Sequence, residues 1–175
     1  MKKNLKSIIA IIALCLAGTM NAQDATAKEN YDQGFRLGFG ANVGYVFDDA
    51  YGLSLGADAR LQYDLSQRTS LTLTTGFTNL FKGDADKDLG FIPVKVGFKG
   101  FIWEDRFYLL GEIGAGFTVT NSYNQNTLIL SPGIGYATKN IDFSVRYEHY
   151  NDFVKVNGNK GMGQVALRLA YGFKL

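Results

Sequence analysis

The last thirteen residues of the chain, Gly163 to Leu175, constrain its fold more than any other segment. The odd positions from Val165 onward are all large and apolar, whereas the even positions from Gln164 onward read Gln, Ala, Arg, Ala, Gly and Lys. This strict alternation places the apolar side chains on one face of a β-strand and the polar or small ones on the other. A strand of this length can cross a membrane when it is tilted.

The N-terminus has the features of an export signal. Three lysines within the first six residues precede an apolar run from Ile8 to Ala17, which is too short for a transmembrane helix. We therefore predict a cleaved signal peptide over residues 1–22 and a polar periplasmic lead-in over residues 23–33.

Charge and cysteine content exclude several classes of protein. The whole chain has a formal net charge of +2, but removing the three signal lysines from its 18 basic residues leaves 15 against 16 acidic ones. A mature charge near −1 does not favour a nucleic-acid partner. The only cysteine, Cys15, lies within the expected signal, so the mature chain has no disulfide and no thiolate metal site. Residues 34–175 have the length of one domain.

The alternating pattern recurs along residues 34–175 and predicts an all-β, eight-stranded antiparallel up-and-down transmembrane β-barrel. The expected strands cover approximately residues 34–47, 52–64, 70–78, 91–99, 107–119, 127–137, 141–148 and 163–175. The connections after the even-numbered strands are short, whereas those after the third, fifth and seventh strands are longer and more polar, as in outer-membrane barrels. Pro93 and Pro132 lie inside expected strands, and we expect a bulge or irregularity at each.

Alternation alone does not decide whether the apolar face points outward to lipid or inward, as in a soluble barrel. The apolar set is rich in Phe, Tyr and Leu, whereas an eight-stranded barrel has an interior just wide enough for side chains. The opposite face is mostly Gly, Ser, Thr and Ala, which suits a narrow interior. Aromatic residues also sort into two girdles, as in membrane barrels. The girdle near the short turns has Phe35, Tyr63, Phe98, Trp103, Phe107, Tyr136, Phe143, Tyr171 and Phe173, and the other has Tyr45, Phe47, Phe77, Phe91, Phe117 and Tyr147.

Four segments carry a resemblance to a known family. They read FIPVKVGF from Phe91, FYLLGEIGAGF from Phe107, SPGIGY from Ser131 and SVRYE from Ser144. The chain resembles the small outer-membrane barrels of the OmpA/OmpX type, and more closely the "outer membrane protein β-barrel domain" proteins of Gram-negative bacteria, over residues 34–175. The resemblance implies location in the outer membrane, contact with lipid and lipopolysaccharide, and insertion by the barrel-assembly machinery. Family members usually end in an aromatic residue, whereas this chain ends in Leu175.

Catalytic candidates are few. Many outer-membrane enzymes use a histidine that acts on a nucleophile or on water. The only histidine, His149, shares the parity of the lipid-facing Tyr147, and the inward Ser131 and Ser144 have no histidine on their side. We therefore predict no catalytic residue, no cofactor and no metal site. The acidic segment Asp84 to Asp88 resembles a calcium loop only faintly, so we interpret it as a solvated loop, and weak cation binding stays open.

The inward face carries a set of charged residues that we predict to form a lumen charge network. The set is Arg36, Asp58, Arg60, Lys95, Glu112, Arg146, Glu148 and Arg168. Buried charges must be paired, so we interpret this set as a salt-bridge network that fills the lumen; a narrow pore is the functional alternative. A hairpin centred between Trp103 and Glu104 places Lys95 directly opposite Glu112, and removal of either charge alone is expected to cost about 3–5 kcal/mol.

The sequence thus predicts a monomeric outer-membrane barrel without catalytic activity, which stabilises the envelope or presents short loops to outside partners. A lipid A- or phospholipid-modifying enzyme is the first alternative, and a narrow channel is the second.

Overall fold

The structure, a computed structural model, describes residues 34–47, 51–82, 88–102, 106–120, 126–154 and 160–175. The expected signal peptide and lead-in lie outside the described residues. None of the described residues belongs to a helix long and apolar enough to span a membrane.

Eight antiparallel strands close into a barrel in chain order, and the first strand pairs with the last. The strands are β1 (Phe35–Val46), β2 (Tyr51–Ser66), β3 (Thr69–Lys82), β4 (Leu89–Ile102), β5 (Phe107–Thr118), β6 (Thr127–Ala137), β7 (Ile141–Val154) and β8 (Lys160–Lys174). We call the end with the β2–β3, β4–β5 and β6–β7 connections the turn end, and the opposite end the loop end. The predicted strand number, order and closure are confirmed.

Several strands are longer than the sequence pattern predicted, and the main extensions lie at the loop end. β3 and β4 extend into the expected loop Asn79–Gly90, and β7 and β8 extend into the expected loop Asn151–Met162. Polar residues and glycines made these segments resemble loops, but pairing with a neighbouring strand satisfies their backbone groups. β8 begins close to Gly161, whose φ of 96° any other residue would adopt only with strain.

The predicted alternation of faces holds along the strands. Large apolar side chains such as Leu71, Leu73 and Phe77 are almost half exposed on the outside, whereas the residues between them, including Thr72 and Thr74, are buried inside. The interior of an eight-stranded barrel is just wide enough for side chains, so the bulky apolar side chains lie on the outer face. The outer surface therefore has the apolar character of a lipid-facing belt.

One residue of the predicted loop-end girdle lies on the other side of the wall. Phe91 is only 1% exposed and packs inside against the rings of Tyr150 and Phe153. Its parity is that of Lys95 on the same strand, so the prediction of an outward Phe91 was wrong. Trp103 of the turn-end girdle lies outside the described residues.

The two prolines do not shift the strand register. Pro93 pairs with Gly116 and Pro132 with Gly111, each within an unbroken ladder. On the other side of each proline, the ladder skips two residue pairs and resumes in the same register, since a proline has no N–H to donate. The expected irregularity is thus an interrupted ladder and not a bulge.

Candidate functional site

The centre of the lumen is organised around the carboxylate of Glu112, whose side chain is fully buried. Its Oε1 accepts hydrogen bonds from Arg60 Nη2 at 3.0 Å and from Thr74 Oγ1 at 2.8 Å. Its Oε2 lies 3.3 Å from Lys95 Nζ and 3.4 Å from Arg146 Nη1. One carboxylate therefore contacts three cationic side chains from three different strands.

The predicted direct opposition of Lys95 and Glu112 was wrong by two residues. Lys95 is opposite Gly114, and Glu112 is opposite Gly97. A shift of two residues preserves the side-chain face, so both side chains stay in the lumen and meet diagonally.

A second carboxylate, Glu148, joins this cluster on the side nearer the loop end. Lys95 Nζ donates to its Oε1 at 2.7 Å. The hydroxyl of Tyr150 and the amide of Gln164 both donate to its Oε2, each at 2.7 Å. The side-chain carbonyl of Gln164 then accepts a hydrogen bond from Ser54 Oγ at 2.7 Å, so the network continues across the barrel.

A third carboxylate, Asp58, holds Arg168 in a forked arrangement. Arg168 donates from Nη2 at 2.6 Å and from Nε at 2.9 Å to the Asp58 carboxylate. Asn42 Nδ2 donates to the same carboxylate at 2.8 Å, and its own carbonyl accepts from Arg146 Nη2 at 2.5 Å. Asn42 thus bridges the Asp58 and Glu112 clusters.

Glycines make room for these long charged side chains. A Cβ atom at Gly40 would lie 2.8 Å from Arg168 Nε, and one at Gly97 would lie 2.6 Å from Glu112 Cγ. Atoms this close overlap, so any larger residue would displace the charged neighbour. The glycine-rich inner face is therefore the space in which the ion pairs fit.

Towards the turn end the network opens to a wider space. Lys99 Nζ donates to Asp142 at 2.7 Å and lies 4.0 Å from the centre of the Tyr108 ring. Tyr108 donates its hydroxyl hydrogen to the same carboxylate at 2.6 Å. Arg36 pairs with Asp64 at 3.1 Å, and its side chain is 41% exposed.

The loop end of the lumen is filled by an apolar cluster, which we call the inner cap. Its members are at most 3% exposed: Val46, Tyr51, Leu80, Leu89, Phe91, Ile129, Tyr150, Phe153 and Met162. Odd-numbered residues of β2 such as Leu53 and Leu55 point outward, but a register irregularity between Tyr51 and Ser54 turns Tyr51 inward. These large apolar side chains are almost fully buried, so they shield this part of the lumen from water.

The described barrel contains at least two cavities. The larger, about 620 Å³, opens at the turn end and is lined by residues of the turns and of the first lumenal layer, including Arg36, Lys99 and Arg168. The smaller, about 20 Å³, lies among Asn42, Lys95 and their neighbours, and it has room for about one water molecule.

The structure buries seven of the eight predicted network residues inside the lumen and connects them by ion pairs or hydrogen bonds. The eighth, Arg36, lies at the open turn end. The predicted network left out several residues that take part in it, although the alternation along the strands placed them on the inner face. They are Asn42, Thr74, Lys99, Tyr108, Asp142, Tyr150 and Gln164. A rule that counts every inward polar residue, rather than the charged ones alone, would have found most of them.

Among the residues that the structure describes, the imidazole of His149 does not lie beside Ser131 or Ser144. His149 is opposite Leu130 and Gly163 on the outer face, with the parity of the outward Tyr147. Ser131 and Ser144 are fully buried on the inner face, so the wall separates them from the imidazole. No described group of three or more His, Cys, Asp or Glu side chains is placed to hold a metal ion. Of the acidic segment, only Asp88 is described, and it accepts a hydrogen bond from the Lys82 backbone at 3.1 Å.

Comparison with known proteins identifies the fold. No family model and no curated protein matches the chain. Among solved structures, Ail, the attachment invasion locus protein of Yersinia pestis, is 19% identical with a TM-score of 0.54, covering 81% of this chain and 99% of Ail. The N-terminal β-barrel domain of Pseudomonas aeruginosa OprF is 10% identical with a TM-score of 0.58, covering 81% and 100%. The outer membrane enzyme PagL is 17% identical with a TM-score of 0.54, covering 79% and 99%.

The chain therefore has the fold of the small eight-stranded outer-membrane β-barrels. Proteins of this fold include an attachment protein and an enzyme, so the fold alone does not assign a role.

Proposed function

We propose that this protein is an integral outer-membrane barrel with a closed lumen, which stabilises the envelope or presents its loops to outside partners and has no catalytic activity. The observation that carries the proposal is the combination of an apolar outer belt with an interior filled by ion pairs and by the inner cap. A barrel built this way has its polar groups satisfied internally and can contact hydrocarbon on all sides.

The outer surface supports a location in the membrane. The exposed side chains of β8 include Leu167, Leu169 and Tyr171, and each of the remaining strands exposes similar large apolar residues. In water such a surface would form an apolar patch far larger than soluble monomers expose. In a bilayer the same surface contacts acyl chains, with lipopolysaccharide as the outer-leaflet neighbour.

A closed lumen makes conduction the weaker alternative. An ion entering from the turn end would meet the Glu112 cluster, in which the described cations and carboxylates pair with one another. Beyond that cluster it would meet the inner cap, which contains no charged residue. Moving an ion through a dry apolar layer is strongly unfavourable, so conduction would require the cap to unpack.

Catalysis also lacks support. An enzyme of the histidine-dependent type would need the imidazole near an inward or interfacial nucleophile, and His149 lies on the outer face away from both inward serines. The proposal of a non-enzymatic role rests on this separation.

The decisive experiment expresses the full chain in a Gram-negative host and compares three readouts with an empty-vector strain. We expect the protein in the outer-membrane fraction, a gel band whose mobility changes on heating, and unchanged lipid A and phospholipid profiles. Recovery in the soluble periplasmic fraction would refute the membrane assignment. An altered lipid A or phospholipid profile would establish the enzyme alternative, and reproducible conductance steps in planar bilayers would establish the channel.

A further inference from the structure

The lumen is a blind chamber, open at the turn end and closed at the loop end. The cavity of about 620 Å³ at the turn end falls within the 300–1,000 Å³ typical of small-molecule pockets. Arg60, which pairs with Glu112, lines the inner end of this cavity, and the inner cap fills the lumen beyond. In the part of the barrel that the structure describes, a soluble molecule therefore reaches this cavity through the turn end.

The wall of this chamber carries an excess of positive charge. Two carboxylates, Asp64 and Asp142, line it together with six cationic side chains, which are Arg36, Arg60, Lys99, Arg106, Lys139 and Arg168. The deeper carboxylates of Glu112 and Asp58 neutralise Arg60 and Arg168. Even when these two are counted, six cations face four carboxylates, which is an excess of two positive charges among the described residues.

The excess charge lies at the mouth. No described carboxylate is within ion-pair distance of Lys139 or Arg106, and both side chains are exposed. Arg36 Nη1 donates to the backbone carbonyl of Lys139 at 3.5 Å, which brings the two basic residues to one side of the opening. At the inner end of the cavity, Arg60 Nη1 is buried without a hydrogen-bond partner among the described residues. Cationic N–H groups are therefore available both at the mouth, on Lys139 and Arg106, and at the inner end, on Arg60.

We propose that this chamber binds a soluble phosphorylated anion that enters from the turn end. Four of the six cations are arginines, and the guanidinium fork matches the oxygens of a phosphate group. The surrounding amides and hydroxyls of Gln62, Ser70 and Asn140 can accept or donate hydrogen bonds to the rest of a small molecule. The strands separate the chamber from lipid, so its ligand comes from the aqueous phase. The binding itself does not depend on the cellular location proposed above.

The test uses the mature chain refolded in a zwitterionic detergent, with folding verified by the heat-dependent gel shift. Pyrophosphate and glucose 6-phosphate are titrated by calorimetry at constant ionic strength, with chloride as the reference anion. We expect saturable binding, weakened at higher salt concentration because the mouth is open to solvent. The R36Q/K139Q double variant should bind at least about tenfold more weakly, since it loses two charge-assisted contacts.

The matched control is K82Q, which removes a positive charge at the loop end of β3. It should bind both probes as the parent protein does. Absence of saturable binding to either probe in the folded parent would overturn the proposal. Equal affinities of the parent, K82Q and R36Q/K139Q would also overturn it, because binding would then not occur at the turn-end mouth.

Discussion

Neutralising Glu112 tests whether the lumen network holds the barrel together. In Glu112→Gln the side chain keeps its shape but loses its charge, and three cationic groups lie within 3.4 Å of its oxygens. Lys95 retains Glu148 at 2.7 Å, and Arg146 retains Asn42 and the more distant Glu148. Arg60 keeps its hydrogen bond to the hydroxyl of Thr74. The substitution therefore leaves one buried guanidinium without a counter-ion.

Loss of one partner from a buried ion pair costs about 3–5 kcal/mol, and we expect this range for Glu112→Gln. Lys95→Met should cost less, about 1–3 kcal/mol, because Glu112 keeps two arginines and Glu148 keeps Tyr150 and Gln164. The sequence alone predicted equal costs for the two residues, whereas the contacts in the structure predict unequal ones.

The assay is reversible urea unfolding of the refolded mature chain in phospholipid vesicles, followed by the fluorescence of its single tryptophan and by the gel shift. Arg36→Gln is the matched control, because it also removes one charge from an ion pair, but at the partly exposed mouth. Surface pairs contribute about 0–1 kcal/mol, so this control should unfold close to the parent. If Glu112→Gln were no less stable than Arg36→Gln, or if Lys95→Met were the more damaging change, the reasoning would be refuted.

Three further predictions concern single side chains, each measured by the same urea unfolding. Gly114→Ala should destabilise the barrel by about 1–3 kcal/mol, since its Cβ would lie 2.6 Å from the Lys95 Cα and closer still to the Val94 carbonyl. As its control, Gly111→Ala places a Cβ in open space and should be neutral or stabilising by up to about 1 kcal/mol. Equal effects of the two would contradict the structure. Tyr150→Phe should cost about 1.5–3 kcal/mol, because it removes a hydrogen bond to a buried carboxylate, and a neutral result would place that hydroxyl outside the network. His149→Ala should change stability by less than about 0.5 kcal/mol and leave lipid profiles unaltered, whereas a loss of lipid-modifying activity would restore the enzyme alternative.

The faces of the strands could be predicted from the sequence, whereas the register between neighbouring strands could not. The faces of β4 and β8 follow from the pleat of the backbone, which is a local property, so the inward parity of Lys95 and Arg168 was readable. The pairing register of β4 and β5 depends on the connection between them, and the position of that turn was misjudged by one residue. An error of this kind moves the register by two and leaves the faces intact.

The sequence by itself determined the strand number, the faces, the apolar exterior and the need for paired charges inside. Only the tertiary structure decided which charges meet. Arg60 on β2 contacts Glu112 on β5, Lys95 on β4 contacts Glu148 on β7, and Arg168 on β8 contacts Asp58 on β2. Such pairs form across the lumen, and their partners depend on the tilt and stagger of the closed barrel, which no local pattern encodes. The same holds for the inner cap, because strands that look like polar loops in isolation bring their inward apolar residues together only when the barrel closes.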